Sequence, residues 1–285
     1  MANPYFQFKK FTIRHDKCAM KVGTDAVLLG AWADTASCKN ILDIGTGTGI
    51  IALMLAQRSC ADIDAIDIDK DACIQAEENV AASPFAGRIK VIPASCADFA
   101  RSTTLKKYDL IVSNPPYFIN SLKCPDNKRS VARHTDSLPL SELVENARAL
   151  LSSAGRIALV LPYEQLEEVK ETAQKNFLHI CRQTDVIPVS GAHPKRLLVE
   201  LSPASTDTKN RNTLTISEAS GSYTTTPMVC ASPSAYFSAA AITGVCAPST
   251  RVTLNIRLRI FLSITHPLIS FALLFKQAFT YLCNT

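Results

Sequence analysis

The sequence predicts an α/β fold built on a doubly wound, mostly parallel sheet. Short apolar runs of strand length alternate with segments of helical period from Asn40 to about Pro203. Such alternation is the pattern of consecutive β-α-β units. A glycine-rich turn also stands between the first strand and the helix that follows it. Because these sheets bind ligands beyond the carboxyl ends of their strands, we expect the functional site at that edge.

Each element is predicted, in chain order, from a change in the residue pattern. The first apolar run ends at the glycine turn, and a helix with apolar residues at three- and four-residue spacing follows it. The next strand ends in an acidic segment, and the helix after it has an acidic face. The strands are predicted at 40–44, 62–67, 88–92, 108–112 and 156–161, and the helices at 50–58, 70–82, 140–150 and 164–176.

The composition describes a globular chain with an unusual C-terminal part. Of its 285 residues 47% are hydrophobic and 19% are charged, which excludes a disordered polyelectrolyte and a protein with many membrane spans. The net charge is +5, but the residues up to Ser205 contain 24 basic and 23 acidic side chains. From Ala219 onward there is no Asp or Glu. We therefore expect a poorly ordered C-terminal tail and take no function from the overall charge.

One apolar run, 260–275, lies in this tail. It is interrupted by His266 and Pro267 and falls short of the roughly 20 residues that a spanning helix needs. We do not expect a membrane partner; a membrane contact of the tail and an altered reading frame are the alternatives. The ten cysteines are scattered without a zinc-knuckle spacing. With no secretory signal at the N-terminus, they predict a cytoplasmic protein with reduced thiols and no metal.

The glycine-rich turn reads Asp43-Ile44-Gly45-Thr46-Gly47-Thr48-Gly49. Glycines let the backbone turn sharply and approach a ligand closely. A dinucleotide fingerprint would need a glycine where Ile50 stands, which argues against NAD. Asp67, at the end of the second strand, can accept hydrogen bonds from both hydroxyls of a ribose. The turn and this carboxylate predict a bound nucleoside; the alternative is a tight turn, with Asp69 as the cap of the following helix.

These two segments resemble those of the class I S-adenosylmethionine-dependent methyltransferases. The resemblance implies a seven-stranded Rossmann-like sheet and S-adenosylmethionine as the cofactor. It places Asp43 near the amino-acid end of the cofactor, the glycines beneath it and Asp67 at its ribose. The family usually has an acidic residue near the adenine, where this chain has Ser95 in the preferred register and Asp98 as the nearest carboxylate.

A second motif, Asn114-Pro115-Pro116-Tyr117, follows the strand at 108–112. The two prolines end the strand and hold a rigid turn. The Asn114 side-chain oxygen and the Pro115 carbonyl can accept the two hydrogens of an exocyclic amine, which concentrates electron density on a weakly nucleophilic nitrogen. Tyr117 offers a ring on which a base can stack. The motif predicts amino-group methylation without a strong general base; the alternative is a strand that simply ends at prolines.

The N-terminal residues favour one amino-group substrate. The Asn-Pro-Pro-Tyr motif is shared by adenine-N6 methyltransferases and by glutamine methyltransferases of peptide release factors. Residues 8–32 closely resemble the opening of bacterial valine-tRNA adenine-N6 methyltransferases, and the resemblance extends from Phe6 to about Tyr223, including His193-Pro194-Lys195-Arg196. It implies methylation of adenine N6 beside the anticodon of a valine tRNA, with residues 1–39 covering the cofactor.

The remaining predictions follow from these two resemblances and from local charge. We expect a monomer with a catalytic domain over 1–223 and an atypical tail over 224–285. Glutamine-N5 methylation of a release factor, methylation of another nucleic-acid amino group, and a noncatalytic RNA-binding role are the alternatives. For Thr24 the alternative to a cofactor role is that Thr24 or Asp25 caps a helix. The expected catalytic residues are Asn114, Pro115, Pro116 and Tyr117. The expected cofactor-binding residues are Lys21, Thr24, Asp43, Gly45, Gly47, Gly49, Asp67, Ser95, Asp98 and Asn114. Basic clusters predict RNA contacts, with a solvated loop as the alternative, at Lys9, Lys10, Arg14, Lys128, Arg129, Arg133 and Arg196.

Overall fold

The computed structural model describes residues 4–18, 21–103, 105–116, 138–204 and 210–217. Their strands are β1 (Tyr5–Gln7), β2 (Thr12–Arg14), β3 (Asn40–Ile44), β4 (Asp62–Asp67), β5 (Ile89–Pro93), β6 (Tyr108–Ser113), β7 (Leu151–Pro162), β8 (His179–Val189), β9 (Arg196–Ser202) and β10 (Asn210–Ser217). Their α-helices are α1 (Thr24–Trp32), α2 (Ile50–Arg58), α3 (Lys70–Ala81), α4 (Cys96–Ser102), α5 (Leu140–Leu150) and α6 (Leu166–Lys175). Short 3-10 turns lie at Ala86–Arg88 and Tyr163–Gln165.

The central sheet has eight described strands in the order β10-β8-β9-β7-β6-β3-β4-β5. Only β9 runs against its neighbours, so the sheet is mostly parallel, as predicted. The chain order reverses between β3 and β6, which are paired neighbours. In a doubly wound sheet a ligand crevice lies outside the strand ends at such a reversal. The glycine turn follows β3 and the Asn-Pro-Pro segment follows β6, so both motifs lie at this position.

Apolar layers cover both faces of the sheet. On one face α1 and α2 form a core with buried residues of the β1–β2 hairpin, such as Phe8 and Phe11. On the other face α4, α5 and α6 pack over a second core. The seven residues of α2 from Ile50 to Ala56 are all buried, because this helix packs against the sheet and against its neighbour α1. The helices therefore hold the strand ends in fixed positions at the crevice.

The sequence predictions of the main strands and helices are confirmed, with three corrections. The five strands predicted by range are present as β3 to β7, β8 and β9 complete the seven strands that the resemblance implies, and β10 is an eighth strand beside β8. The strand predicted at 156–161 begins at Leu151, because Leu151 already pairs with Tyr108 of β6. The helix predicted at 164–176 begins as a 3-10 turn before α6.

Among the cysteines within the described ranges, Cys60 departs from the expectation of reduced thiols. It is disulfide-bonded, and it lies exposed just after α2. Free thiols are present at Cys18, Cys38, Cys73, Cys96 and Cys181.

None of the helices within the described ranges is both long and apolar enough to cross a membrane. The apolar run at 260–275 lies outside the described residues, as does the whole of the predicted tail, 224–285.

Candidate active site

The glycine turn depends on three glycines with left-handed backbone angles. The φ angles of Gly45, Gly47 and Gly49 are +72°, +54° and +80°, a region that residues with a Cβ rarely adopt. The N–H of Gly45 donates to the carbonyl of Ile66 at 2.9 Å, and that of Gly47 donates to Oδ2 of Asp67 at 2.8 Å. These hydrogen bonds therefore hold the turn, which follows β3, against the end of β4.

The space around the turn differs from glycine to glycine. Among the described residues no atom lies within 4 Å of a Cβ placed on Gly45, whereas a Cβ on Gly49 would meet the Cβ of Ala76 at 3.4 Å. One placed on Gly47 would lie 3.9 Å from Sγ of Cys18. The turn is thus open above Gly45, packed against α3 at Gly49, and bordered by the N-terminal segment at Gly47. A ligand can approach the backbone at Gly45.

Asp67 lies at the end of β4 with its carboxylate partly buried. Its Oδ2 accepts from the N–H of Gly47 at 2.8 Å, and its Oδ1 accepts from the N–H of Asp69 at 3.0 Å. Burial raises the pKa of Asp67, although these N–H donors act against the shift. Each oxygen keeps acceptor capacity for another donor. Asp69 itself caps α3 by accepting from the N–H of Asp71 at 2.9 Å, which confirms the cap predicted for Asp69.

Asp43 lies beneath the glycine turn and is fully buried. Its Oδ2 accepts from the hydroxyl of Thr46 at 2.7 Å and from the N–H of Ala52 at 3.2 Å, which fixes the turn to the first residues of α2. Its Oδ1 has no hydrogen-bond partner among the described residues. Burial raises the pKa of Asp43 to about 7. The structure therefore gives this carboxylate a direct part in shaping the turn from below.

The two candidates for the adenine contact, Ser95 and Asp98, both belong to the first turn of α4. Ser95 is the N-cap, accepts from the N–H of Asp98 at 3.1 Å, and donates its hydroxyl to Oδ2 of Asp98 at 2.7 Å. Asp98 is exposed and also pairs with Arg101. The Ser95 hydroxyl and the Arg101 guanidinium lower its pKa. Since α4 follows β5, the neighbour of β4, both side chains lie at the ligand edge of the sheet.

Asn114 follows the end of β6 and is partly buried. The preceding Ser113 donates its hydroxyl to the carbonyl of Ile44 at 2.8 Å, and the two residues are register partners. This bond brings Asn114 and the glycine turn to neighbouring strand ends. Pro115 is buried and Pro116 is exposed. Four predicted site residues lie outside the described residues, namely Tyr117, Lys128, Arg129 and Arg133.

The residue that caps α1 is neither Thr24 nor Asp25. Gly23 occupies the N-cap position of α1 without a side-chain bond, so the interpretation of Thr24 or Asp25 as the cap is wrong. Asp25 instead accepts from Nε of Arg196 at 2.8 Å. Because β9 begins at Arg196, this ion pair joins α1 to the ligand edge of the sheet. Lys21 is exposed on the same segment.

The basic residues of the N-terminus lie on and beside the β1–β2 hairpin. Lys9 and Lys10 are exposed at its turn, and Arg14 is exposed at the end of β2. All three line an open cleft of about 770 Å³ between the hairpin and α3. The pattern of the sequence did not indicate that two buried amides of α3, Gln75 and Asn79, hold this segment. The sequence pattern that could have revealed them is a pair of amide residues four positions apart, on the inward face of an otherwise alanine-rich helix.

Four of the described free cysteines are poor nucleophiles for a covalent intermediate. Burial raises the pKa of Cys38, Cys73 and Cys181 to about 11 and that of Cys96 to about 12, so these thiols stay protonated at neutral pH.

The site fits a nucleoside cofactor. Among the described residues the turn is open above Gly45, Asp67 presents acceptor oxygens at the end of β4, and Asn114 follows β6, the neighbour of β3 on the other side. The sheet that carries these groups is mostly parallel. Among its described strands only β9, between β8 and β7, runs in the opposite direction. Fold and site together define a class I S-adenosylmethionine-dependent methyltransferase.

Comparison with known proteins agrees with this class. A family model described as methyltransferase small domain matches residues 18–183. The tRNA1(Val) (adenine(37)-N6)-methyltransferase of Parabacteroides distasonis is 63% identical over 202 residues, which cover 71% of this chain and 85% of that protein. The protein of the same name from Bacteroides thetaiotaomicron is 53% identical over 201 residues, which cover 70% and 84%. The chain belongs to the methyltransferase small domain family, together with these tRNA1(Val) (adenine(37)-N6)-methyltransferases.

A solved structure also shares the fold. A predicted O-methyltransferase from Agrobacterium tumefaciens has a TM-score of 0.55 and 20% identity, and the match covers 71% of this chain and 92% of that one. At this identity the likeness concerns the fold alone.

Proposed function

We propose that this methyltransferase transfers the methyl group of S-adenosylmethionine to the exocyclic N6 of the adenine beside the anticodon in a valine tRNA. The observation that carries the proposal is the position of Asn114 and Pro115, which directly follow β6 beside the glycine turn. The names of the relatives support the same substrate. We further propose that the enzyme acts as a cytoplasmic monomer without a metal, and that its catalytic domain spans residues 1–223.

The cofactor-binding role is assigned to the groups that surround the open turn. When bound, S-adenosylmethionine supplies a methyl group on a positively charged sulfur. Asp67 would accept hydrogen bonds from the ribose hydroxyls, and the glycines would let the backbone lie against the ligand. Asp43 holds the turn from below. Ser95 and Asp98 are the proposed adenine-side contacts, and Lys21 and Thr24 the contacts of the covering segment.

The amino group would be positioned by Asn114 and Pro115. Their two oxygens accept its hydrogens, so the nitrogen lone pair is directed towards the methyl donor and gains electron density. Fixed placement of nitrogen and methyl group lowers the entropic part of the barrier. Pro116 keeps the turn rigid because its φ is restricted. Tyr117 is the proposed stacking partner of the extruded base.

The RNA is proposed to contact basic groups on both sides of the site. Lys9, Lys10 and Arg14 border the hairpin cleft, where a phosphate backbone would find positive charge. Arg196 is already paired with Asp25, so an RNA contact would have to share its guanidinium with that carboxylate. The proposal also includes the basic residues that lie outside the described ranges, Lys128, Arg129 and Arg133.

The experiment that tests the function uses the purified full-length chain, labelled S-adenosylmethionine and unmodified tRNA from the source organism. We expect N6-methyladenosine in the digested tRNA by mass spectrometry, at the position beside the valine anticodon. A valine tRNA whose target adenine is replaced by guanine serves as the matched control and should take up no label. Labelling of a peptide release factor at glutamine, with unlabelled tRNA, would contradict the proposal and favour glutamine-N5 methylation.

A further inference from the structure

Asn79 joins three separate segments of the chain. This α3 residue is buried, with 2% of its surface exposed. Its Oδ1 accepts from the N–H of Arg14 at 2.9 Å, and its Nδ2 donates to the carbonyls of Arg14 and Thr48, each at 2.9 Å. Arg14 ends the hairpin strand β2, and Thr48 belongs to the glycine turn. One side-chain amide therefore connects the N-terminal segment, α3 and the glycine turn.

The three partners require an amide at this position. One partner is a donor and two are acceptors, so the side chain must supply one acceptor oxygen and two N–H donors. An aspartate of the same shape would place carboxylate oxygen against two carbonyls. An alanine would leave one N–H and two carbonyls without this partner in a buried place, which costs free energy at each.

Neighbouring contacts hold the rest of the N-terminal segment in the same place. Gln75, one turn before Asn79 and fully buried, accepts from the N–H of Lys17 at 3.0 Å. The ammonium of Lys17 pairs with Glu78 at 2.5 Å. The next residue, Cys18, has its Sγ 3.9 Å from the position of a Cβ on Gly47. Residues 14–18 thus run along α3 and end beside the second glycine of the turn.

We propose that Asn79 is a positioning residue of the cofactor site. It holds residues 14–18 against the glycine turn, so that this segment forms one wall of the site, and it fixes the carbonyl of Thr48 within the turn. Asn79 acts through these backbone groups, and no contact of its own with the ligand is required. The inference rests on the proposed function, because it takes the glycine turn as the binding place of S-adenosylmethionine.

The test compares Asn79→Asp with two control variants in the full-length chain. Asn176→Asp removes an amide that donates to the carbonyl of Thr172 at 2.9 Å after α6, on the other face of the sheet. Val169→Ala removes buried volume from that same far face and supplies a loss of thermal stability without a change near the turn. Affinity for S-adenosylmethionine is measured by calorimetry, and backbone hydrogen exchange is followed in peptides covering 12–18 and 45–50.

We expect Asn79→Asp to weaken S-adenosylmethionine binding by about tenfold or more, because two hydrogen bonds are replaced by repulsion. Exchange in both peptides should become faster in the absence of cofactor, and kcat at saturating cofactor should change much less than KM for the cofactor. Neither control should show this combination. Should Asn79→Asp fail to fold, Gln75→Ala carries the test, with the same direction and a smaller effect.

Three results would overturn the proposal or its basis. Unchanged cofactor affinity in the Asn79 and Gln75 variants would overturn it. So would a loss of cofactor affinity in Asn79→Asp that is no larger than the loss in Val169→Ala, when both variants lose the same thermal stability. A wild-type chain that fails to bind S-adenosylmethionine would overturn both this inference and the proposed function. Normal cofactor binding without methylation of tRNA would overturn only the proposed substrate.

Discussion

Asp43 and Asp67 are both carboxylates at the glycine turn, and their surroundings divide their roles. Asp67 receives backbone N–H donors on both oxygens and is partly open, so it remains an acceptor at the ligand edge. Asp43 is fully buried with one oxygen lacking a partner among the described residues. Removing a charged carboxylate from water favours its protonated form. Asp43 therefore titrates near neutral pH, with a pKa of about 7.

This titration predicts a pH-dependent stability that Asp43→Asn removes. The folded protein keeps the Asp43 proton up to about pH 7, whereas the unfolded chain releases it near pH 4. Raising the pH through this window therefore lowers the free energy of unfolding of the wild type. An asparagine keeps an acceptor for Thr46 and Ala52 and does not titrate. Measured by urea denaturation, the free energy of unfolding of Asp43→Asn relative to wild type should rise by up to about 1.4 kcal/mol per pH unit between pH 5 and 7.

Titrations common to both proteins cancel in this difference. A difference that stays constant from pH 5 to pH 7 would show that the pKa of Asp43 lies in the ordinary range.

A second prediction separates the amine-positioning and cofactor-binding groups. Asn114→Ala should lower kcat by about 100- to 1000-fold, as expected for removal of one transition-state hydrogen-bond partner, while the Kd for S-adenosylmethionine changes little. Asp67→Ala serves as the opposite control and should raise that Kd by about tenfold or more. Calorimetry and single-turnover kinetics measure the two quantities. A collapse of cofactor binding in Asn114→Ala would contradict its assigned role.

At the residue scale, the sequence predicts those site features that depend on local chain geometry. The sharp turn at the three glycines and the Asp69 cap are confirmed, because a turn or a helix start needs only adjacent residues. The Asn79 contacts join residues 65 and 31 positions apart, and the Asp25–Arg196 pair joins residues 171 positions apart. No local pattern encodes such pairings, because tertiary packing alone brings the partners together.

At the scale of elements, β8 shows why an interior strand escapes prediction. Four consecutive residues from Arg182 to Asp185 are polar and buried, so the apolar run typical of a central strand is missing. Packing supplies their partners. Arg182 lies 3.7 Å from the ring centroid of Trp32, donates to the Trp32 carbonyl at 2.7 Å, and lies 3.6 Å from Glu200 of β9. These contacts tie α1, β8 and β9 together behind the site.

This buried cluster predicts a large cost for removing one of its charges. Among the described residues, Arg182→Leu would leave the buried Glu200 with the Arg156 guanidinium, at 3.4 Å, as its remaining cation. We expect a loss of about 3 kcal/mol in the free energy of unfolding. Arg101→Leu is the matched control, because its ion pair with Asp98 is exposed and should contribute little to stability. Urea denaturation at neutral pH measures both. Equal losses in the two variants would contradict the importance of the buried cluster.

At the scale of the whole molecule, topology rather than net charge locates the function. The +5 charge arises mainly after Ser205, whereas the site forms where the chain order reverses between β3 and β6. The sequence predicts this reversal only from the alternation of strands and helices. The edge strand β10 is not part of that alternation, so the sequence does not predict it. β10 is mostly polar, and all of its residues are half-exposed or exposed, so its pattern resembles a loop. Its pairing with β8 provides its stability.

Two truncations test where the folded unit ends. β10 ends at Ser217. Its parallel pairing with β8 and the 2.8 Å ion pair between Arg211 and Asp185 both involve only residues up to Ser217. We therefore expect a chain ending after Ser217 to keep the melting temperature within about 2 °C and to bind S-adenosylmethionine as the full-length chain does. Ending the chain after Ala204 removes β10, leaves the buried Asp185 without its arginine, and should lower the melting temperature by about 6 °C or more. Calorimetric melting curves of the three chains measure this, and a large loss already on ending at Ser217 would place part of the folded unit in the tail.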